Sequence, residues 1–240
     1  MESRFRTARE RRIIDTCKFI YVCIGAFVAP EAARKPHTED RRVLRSRSTL
    51  LAATVRLVSE RRSTAIAVTD LADAANVSRQ LVYLQFGDRD ALLVAAAVDL
   101  VQRELVPQLE GGSDAGSSRA LAAARHLAQY RPFYRALLTG SCAFAMTRTL
   151  NGLFSSFNRH AVRTLFGELD QGTAEDLTTL FTGGMAAVIN DWLIDGADPL
   201  DPEELTRRLL RLIAVLAGSR PAPRSRAASR SRKRRSARRP

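Results

Sequence analysis

Between Ala67 and Leu93 the chain reads AVTDLADAANVSRQLVYLQFGDRDALL, three brief helical patterns broken at Asn76-Val77-Ser78 and at Gly87-Asp88. Helices this short are not stable alone in water, so neighbours must hold them. Thr69 is placed to cap the first, and Leu71, Ala72 and Ala75 give it a small apolar face. Asn76 stands where that helix should stop, and asparagine tolerates the left-handed conformation such a stop needs. Ser78 is placed to cap the second helix, and Val82 and Phe86, four apart, face inward. Arg79, Gln80, Leu81 and Tyr83 are left on or near the outer face. Gly87 ends the second helix, and Asp88 can cap the third.

This spacing is that of a helix-turn-helix, whose second helix enters the major groove of DNA. Arg79 suits guanine O6 and N7, Gln80 suits adenine N6 and N7, and Leu81 could lie against a thymine methyl. Tyr83 can offer its hydroxyl to a phosphate, and Arg89 sits in a first helical turn, where free N–H groups also favour phosphate. Arg47, Thr69 and Ser78 complete the expected DNA-contacting set. A solvated arginine on an ordinary helical core would give the same spacing.

The flanking sequence is helical too. Leu51, Val55 and Val58 fall at i, i+4, i+7 within a helix expected over 47–61. The helix after Asp88 is expected to run to Pro107. EGGSDAGSS (110–118) reads as a flexible linker. Further helices are expected near 118–129, 132–138, 143–166, 174–194 and 202–217. No segment alternates with period two for long enough to be a strand, so the chain is expected to be all-α.

Charge divides the chain in another way. The net +13 comes from +6 in residues 1–47 and +10 in 219–240, with −3 over 48–218. The basicity therefore lies in the ends, and the high pI says little about the body. SRPAPRSRAASRSRKRRSARRP cannot bury a core and is expected to be disordered, either as a solvated tail or as a nonspecific phosphate binder. Residues 1–44 read as a flexible basic extension or a misassigned gene start. Their apolar run, Phe19 to Ala29, is too short to span a bilayer. It resembles a signal peptide, but the lead is long and the cleavage region PEAARK is poor. Cys17, Cys23 and Cys142 are odd in number and lack metal-ligand spacing, which fits a reducing cytoplasm.

The motifs VTDLADAANVS and VYLQFGDRDALL, with Tyr83, Phe86, Arg89 and Leu92 at successive spacings of three, make residues 47–93 resemble the DNA-binding domain of the TetR family. Arg89 stands where family members carry a lysine, and Asn76 where many carry the turn glycine. The resemblance covers about a fifth of the chain. It implies a DNA-binding domain at 45–93, and a helical effector-binding and dimerisation domain at 94–218. It also implies a palindromic operator, a homodimer, a small-molecule effector and, most often, repression. The C-terminal stretch GGMAAVINDWLIDGADPLDPEELTRRLLRL is also similar to the last two helices of such proteins.

DPLDPEELTRRLLRLIAVL is well punctuated, with Asp201 to cap, Pro202 at the first helical position and Glu204 in a capping-box place. Leu205, Leu209, Leu212 and Leu216 make one stripe, and Phe181, Met185, Val188 and Trp192 make another. Either stripe could pack into its own core. With the resemblance, Met185, Val188, Trp192, Leu205, Leu209 and Leu212 become the candidate dimer interface. Phe133, Tyr134, Phe144, Met146, Phe154 and Phe157 are the candidate effector pocket, and His126, Arg131 or His160 could meet a polar group there.

Catalysis is not expected. There is no His-Glu-x-x-His, no phosphate-cradling glycine loop after a strand and no nucleophile elbow, and Cys142 has no evident base. The carboxylates of GADPLDPEE lack the ordered spacing of a calcium loop. No metal, cofactor or membrane partner is expected. The competing reading is a nonspecific architectural, nucleoid-type DNA binder acting through the basic ends.

Overall fold

The computed structural model describes residues 38–110 and 116–218. The expectations for 1–37, for the middle of the linker and for the basic tail lie outside these residues. The chain divides into two units at Leu44/Arg45. Of the first unit, residues 38–44 are helical, with Val43 and Leu44 exposed.

Regular structure among the described residues is all helical. The elements are α1 (Thr38–Arg61), α2 (Val68–Ala74), α3 (Arg79–Phe86), α4 (Arg89–Leu100), α5 (Val106–Glu110), α6 (Gly116–Gln129), α7 (Arg131–Leu138), α8 (Ala143–Phe166), α9 (Gln171–Asp195) and α10 (Pro202–Leu216). A π-helical turn, Val101–Leu105, joins α4 to α5. Most helix ends lie within three residues of their sequence expectation. Three boundaries differ. Helix α1 starts at Thr38 rather than Arg47. The last residues of the expected linker, 116–118, already belong to α6. Pro107 lies inside helical structure instead of ending it.

The π-turn accounts for Pro107. A proline inside a regular helix loses one hydrogen bond and its ring meets the carbonyl four residues back. Here Val106 N–H donates to the Val101 carbonyl, the wider i→i−5 pattern. The ladder is thus already open where the ring enters. The helical expectation through 93 holds without a break, because α4 runs on to Leu100.

Caps fix the other ends. Asp170 Oδ1 accepts from Thr173 N at 3.0 Å to start α9, and Asp201 Oδ1 accepts from Glu204 N at 3.0 Å to start α10, with Pro202 following as expected. Helix α8 packs along α9, α10 against α6, α7 against both α8 and α9, and α4 against α8. Within the unit that begins at Arg45, one buried apolar cluster runs from Leu50 and Val58 through Leu71, Leu92, Leu100 and Phe133 to Leu205 and Leu209. The helix-turn-helix segment and the helical body therefore share a core.

Leu209 belongs to that core, whereas Leu212, one turn on, is 39% exposed. Leu209→Ala should cost about 2–5 kcal/mol of stability, as buried leucine truncations do, and Leu84→Ala, at a position 81% exposed on α3, should cost under about 1 kcal/mol. Urea denaturation of both variants checks this. Equal midpoint losses would contradict the packing.

Candidate nucleic-acid interface

The short helices are built as backbone chemistry requires. Helix α2 closes on a turn in which Ala75 N and Val77 N donate to the Ala72 carbonyl at 3.2 and 3.0 Å, and Asn76 N donates to the Asp73 carbonyl at 3.0 Å. Asn76 takes φ +52°, the left-handed value its position called for. Ser78 Oγ then accepts from Leu81 N at 3.2 Å and starts α3. Gly87, at φ +83°, ends α3, and Asp88 Oδ1 accepts from Ala91 N at 2.7 Å to start α4. Val82 and Phe86 are buried with Leu71, Ala72 and Ala75 behind them.

That burial aims the opposite face of α3 outward. Arg79 and Gln80 are exposed, and Tyr83 is 53% exposed. Leu81 is half-buried on the flank, a weaker position than its sequence reading gave it. Leu84 takes its place. It is 81% exposed and lies four residues after Gln80 on the same face. Sequence reasoning missed it, although the i, i+4 spacing from Gln80 carried the signal.

Thr69 does not cap α2. The capping position is Ala67, with extended backbone and no side-chain bond, and Thr69 lies exposed in the first turn. Arg61 on α1 pairs with Asp70 and ties the start of α2 to the helix before it. Arg47 and Arg89 both have partners within the protein. Arg47 lies over the Phe86 ring at 4.6 Å. Arg89 donates to Asp90 Oδ1 at 3.1–3.2 Å and to Ser141 Oγ at 3.3 Å.

The six aromatic and methionine candidates do not converge on one pocket. Phe133, Tyr134 and Met146 are core residues, Phe144 is 79% exposed, and Phe154 and Phe157 pack on each other half-buried, with ring centroids 6.4 Å apart. Helical periodicity marks an inward face but not a void within it. Of the polar candidates, Arg131 closes the end of α9, donating to the carbonyls of Leu193, Gly196 and Ala197 at 3.1, 2.6 and 3.1 Å. His160 is exposed. His126 is buried, with Nε2 2.8 Å from the Tyr134 hydroxyl and the Tyr130 ring at 5.2 Å. Burial pushes the Tyr134 phenol up.

The dimer candidates divide likewise. Trp192, Leu205 and Leu209 are buried within the protomer, and Met185 and Val188 are half-buried against the same core. These five therefore serve the protomer's own packing, and of the six only Leu212 is exposed. Among the described residues no group of three or more histidines, cysteines or carboxylates is placed to hold a metal.

An outward face on a short, buried-backed helix after a tight turn defines a helix-turn-helix DNA-binding protein. Residues 50–96 match the family described as "Bacterial regulatory proteins, tetR family". The chain is 28% identical over 188 residues, covering 78% of it and 81% of the relative, to the HTH-type transcriptional regulator AlkX of Mycobacterium tuberculosis (strain ATCC 25618 / H37Rv). A solved transcriptional regulator from Rhodococcus sp. RHA1 superposes with a TM-score of 0.51 at 18% identity, over 73% of this chain and 100% of that one. A TetR-family regulator from Rhodococcus sp. gives 0.49 at 23% identity, over 72% and 98%. Residues 50–96 thus form a TetR-type DNA-binding domain, and the chain that carries it is similar over most of its length to an HTH-type transcriptional regulator.

Burial holds the His126 imidazole below its ordinary value of 6.5, with Glu104 opposing. The folded protein thus keeps this ring neutral where the unfolded chain takes up a proton. Stability from this group is present above about pH 6.5 and is lost as pH falls below it. The melting temperature should drop less between pH 7.5 and 5.5 in His126→Gln than in the wild type. Parallel drops would show that His126 does not titrate with unfolding.

Proposed function

We propose that this chain binds a palindromic operator as a homodimer, reads it through α3, and represses transcription until a small-molecule effector releases it. The observation that carries this reading is the exposed row Arg79, Gln80, Tyr83 and Leu84 on a helix fixed from behind by Val82 and Phe86. Arg79 and Gln80 suit guanine and adenine edges, and Leu84 suits a thymine methyl. Tyr83 and Arg89 suit phosphates, Arg89 through Nη1, since its bonds to Asp90 and Ser141 use Nε and Nη2. One short helix reads few bases, so a two-fold site is the economical solution.

Residues 45–93 serve DNA in this reading, and 94–218 serve the effector and the partner copy. The partner copy covers the outer side of α9 and α10. Leu180, Leu212, Val215 and Leu216 are exposed there, and nothing lies within 4 Å of the Cβ that Gly183 or Gly184 lacks. Ala187 is exposed between them and Asp191. A face of small and apolar residues lets a second helix pair approach closely. A cytoplasmic location goes with DNA as the target.

Selection from a randomised duplex library should yield a palindrome with the wild type. Arg79→Ala, Gln80→Ala and Leu84→Ala should each relax preference at particular positions, by about 1–3 kcal/mol for a good bidentate contact. Unchanged preferences would remove α3 from the reading. Equal binding to all duplexes would favour the architectural alternative, for which ten cations and no acid after Gly218 are the argument.

Ala187→Glu places a charge in the proposed interface without touching the protomer core. Light scattering should give a dimer for the wild type and a 26.5 kDa protomer for the variant, with helical content unchanged. A wild-type monomer at micromolar concentration would overturn the two-fold site.

A further inference from the structure

The turn between α7 and α8, residues 139–142, meets the helix-turn-helix segment at two points. At the first, Gly140 lies against Thr64, a buried residue in the loop between α1 and α2. A Cβ at position 140 would overlap Thr64 Oγ1 outright, and would lie 3.0 Å from Thr64 Cγ2 and 2.9 Å from the Ala136 carbonyl. Only glycine allows this approach. At the second, Ser141 Oγ accepts from Arg89 Nη2 at 3.3 Å, while Asp90 Oδ1 accepts from the same Nη2 and from Nε. Cys142 anchors the turn from beneath, buried, with its Sγ 3.9 Å from the Leu137 carbonyl.

We propose that this turn is the joint that sets the orientation of the helix-turn-helix on the helical body, with Gly140 and Ser141 as positioning residues for operator binding. The two contacts grip different parts of the DNA-binding segment. Thr64 leads into α2 through Ile66, which is buried, and Arg89 begins α4, directly after α3 ends. A shift of α7 or α8 therefore moves both flanks of α3 together. The same turn holds the arginine that the operator-binding proposal sends to a phosphate, so its guanidinium is shared between the body and DNA. The inference rests on that proposal.

The test uses the full chain, the palindrome selected by the wild type and a random duplex of equal length. Gly140→Ala, with helical content and dimer mass unchanged, should lower the palindrome-to-random affinity ratio about tenfold, because residues sharing a tight contact couple strongly. Adding Thr64→Ala removes the clashing hydroxyl and methyl, though not the Ala136 carbonyl at 2.9 Å, and should recover part of the ratio, by about threefold over Gly140→Ala. A Gly140→Ala protein that binds as the wild type does, or a double variant no better than Gly140→Ala, overturns the joint.

Where Gly140→Ala does not fold, Ser141→Ala decides. Ser141 is exposed, so its loss should leave folding intact. The ratio should fall about two- to tenfold, as for one hydrogen bond, and should not fall further in an Arg89→Ala background. Equal losses in both backgrounds overturn the role of Ser141. A wild type that selects no palindrome fails the operator-binding proposal itself, and the joint with it.

Discussion

Burial of Val82 and Phe86 is the constraint on which the rest of the molecule depends. Helix α3 has eight residues, too few to persist by its own hydrogen bonds. Its orientation is therefore whatever the surface behind it dictates. Helices α2 and α4 pack against α3, and Leu71, Ala72 and Leu92 lie in the same buried cluster, as do Leu50 and Val58 of α1. Arg47 adds a lid over the Phe86 ring from the side. The outward face of α3 is free to carry polar and unpaired apolar side chains because none of them is needed for folding.

The same cluster continues without a seam into α6, α7 and α10. Helix α4, the π-turn and α5 carry the chain from one region to the other as a continuous helical path. A domain boundary near residue 93, natural in the sequence, falls in the middle of α4. Separate roles for 45–93 and 94–218 thus have to be carried on a shared core, which makes the points of tight contact between them mechanically important.

Local signals in the sequence were the most readable ones. Ser78, Asp88 and Asp201 each act within three residues of themselves, so a cap can be read from the chain alone. Thr69 failed as a cap because α2 begins two residues earlier than its side chain implied, and the backbone at Ala67 already turns without help. The start of α1 was missed because the apolar stripe begins only at Leu51, and the apolar residues of its first turns, Val43 and Leu44, are exposed. The stripe through Leu205 and Leu209 was legible as an apolar face. Whether such a face meets its own core or another copy depends on tertiary packing, which periodicity does not encode. The aromatic residues of α7 and α8 were ambiguous for the same reason. The approach of Gly140 to Thr64 spans 76 positions and left no local trace.

Cys142 adds a property of a different kind to the turn between α7 and α8. Burial, with Asp90 nearby, pushes its thiol up to about 11. At neutral pH only about one molecule in ten thousand then carries the thiolate, which is the form that oxidants and electrophiles attack. The sulfur acts as a small apolar plug rather than as chemistry. Buried and protonated, that sulfur holds the turn by packing alone, so the contact between body and DNA-binding segment does not depend on a thiolate there.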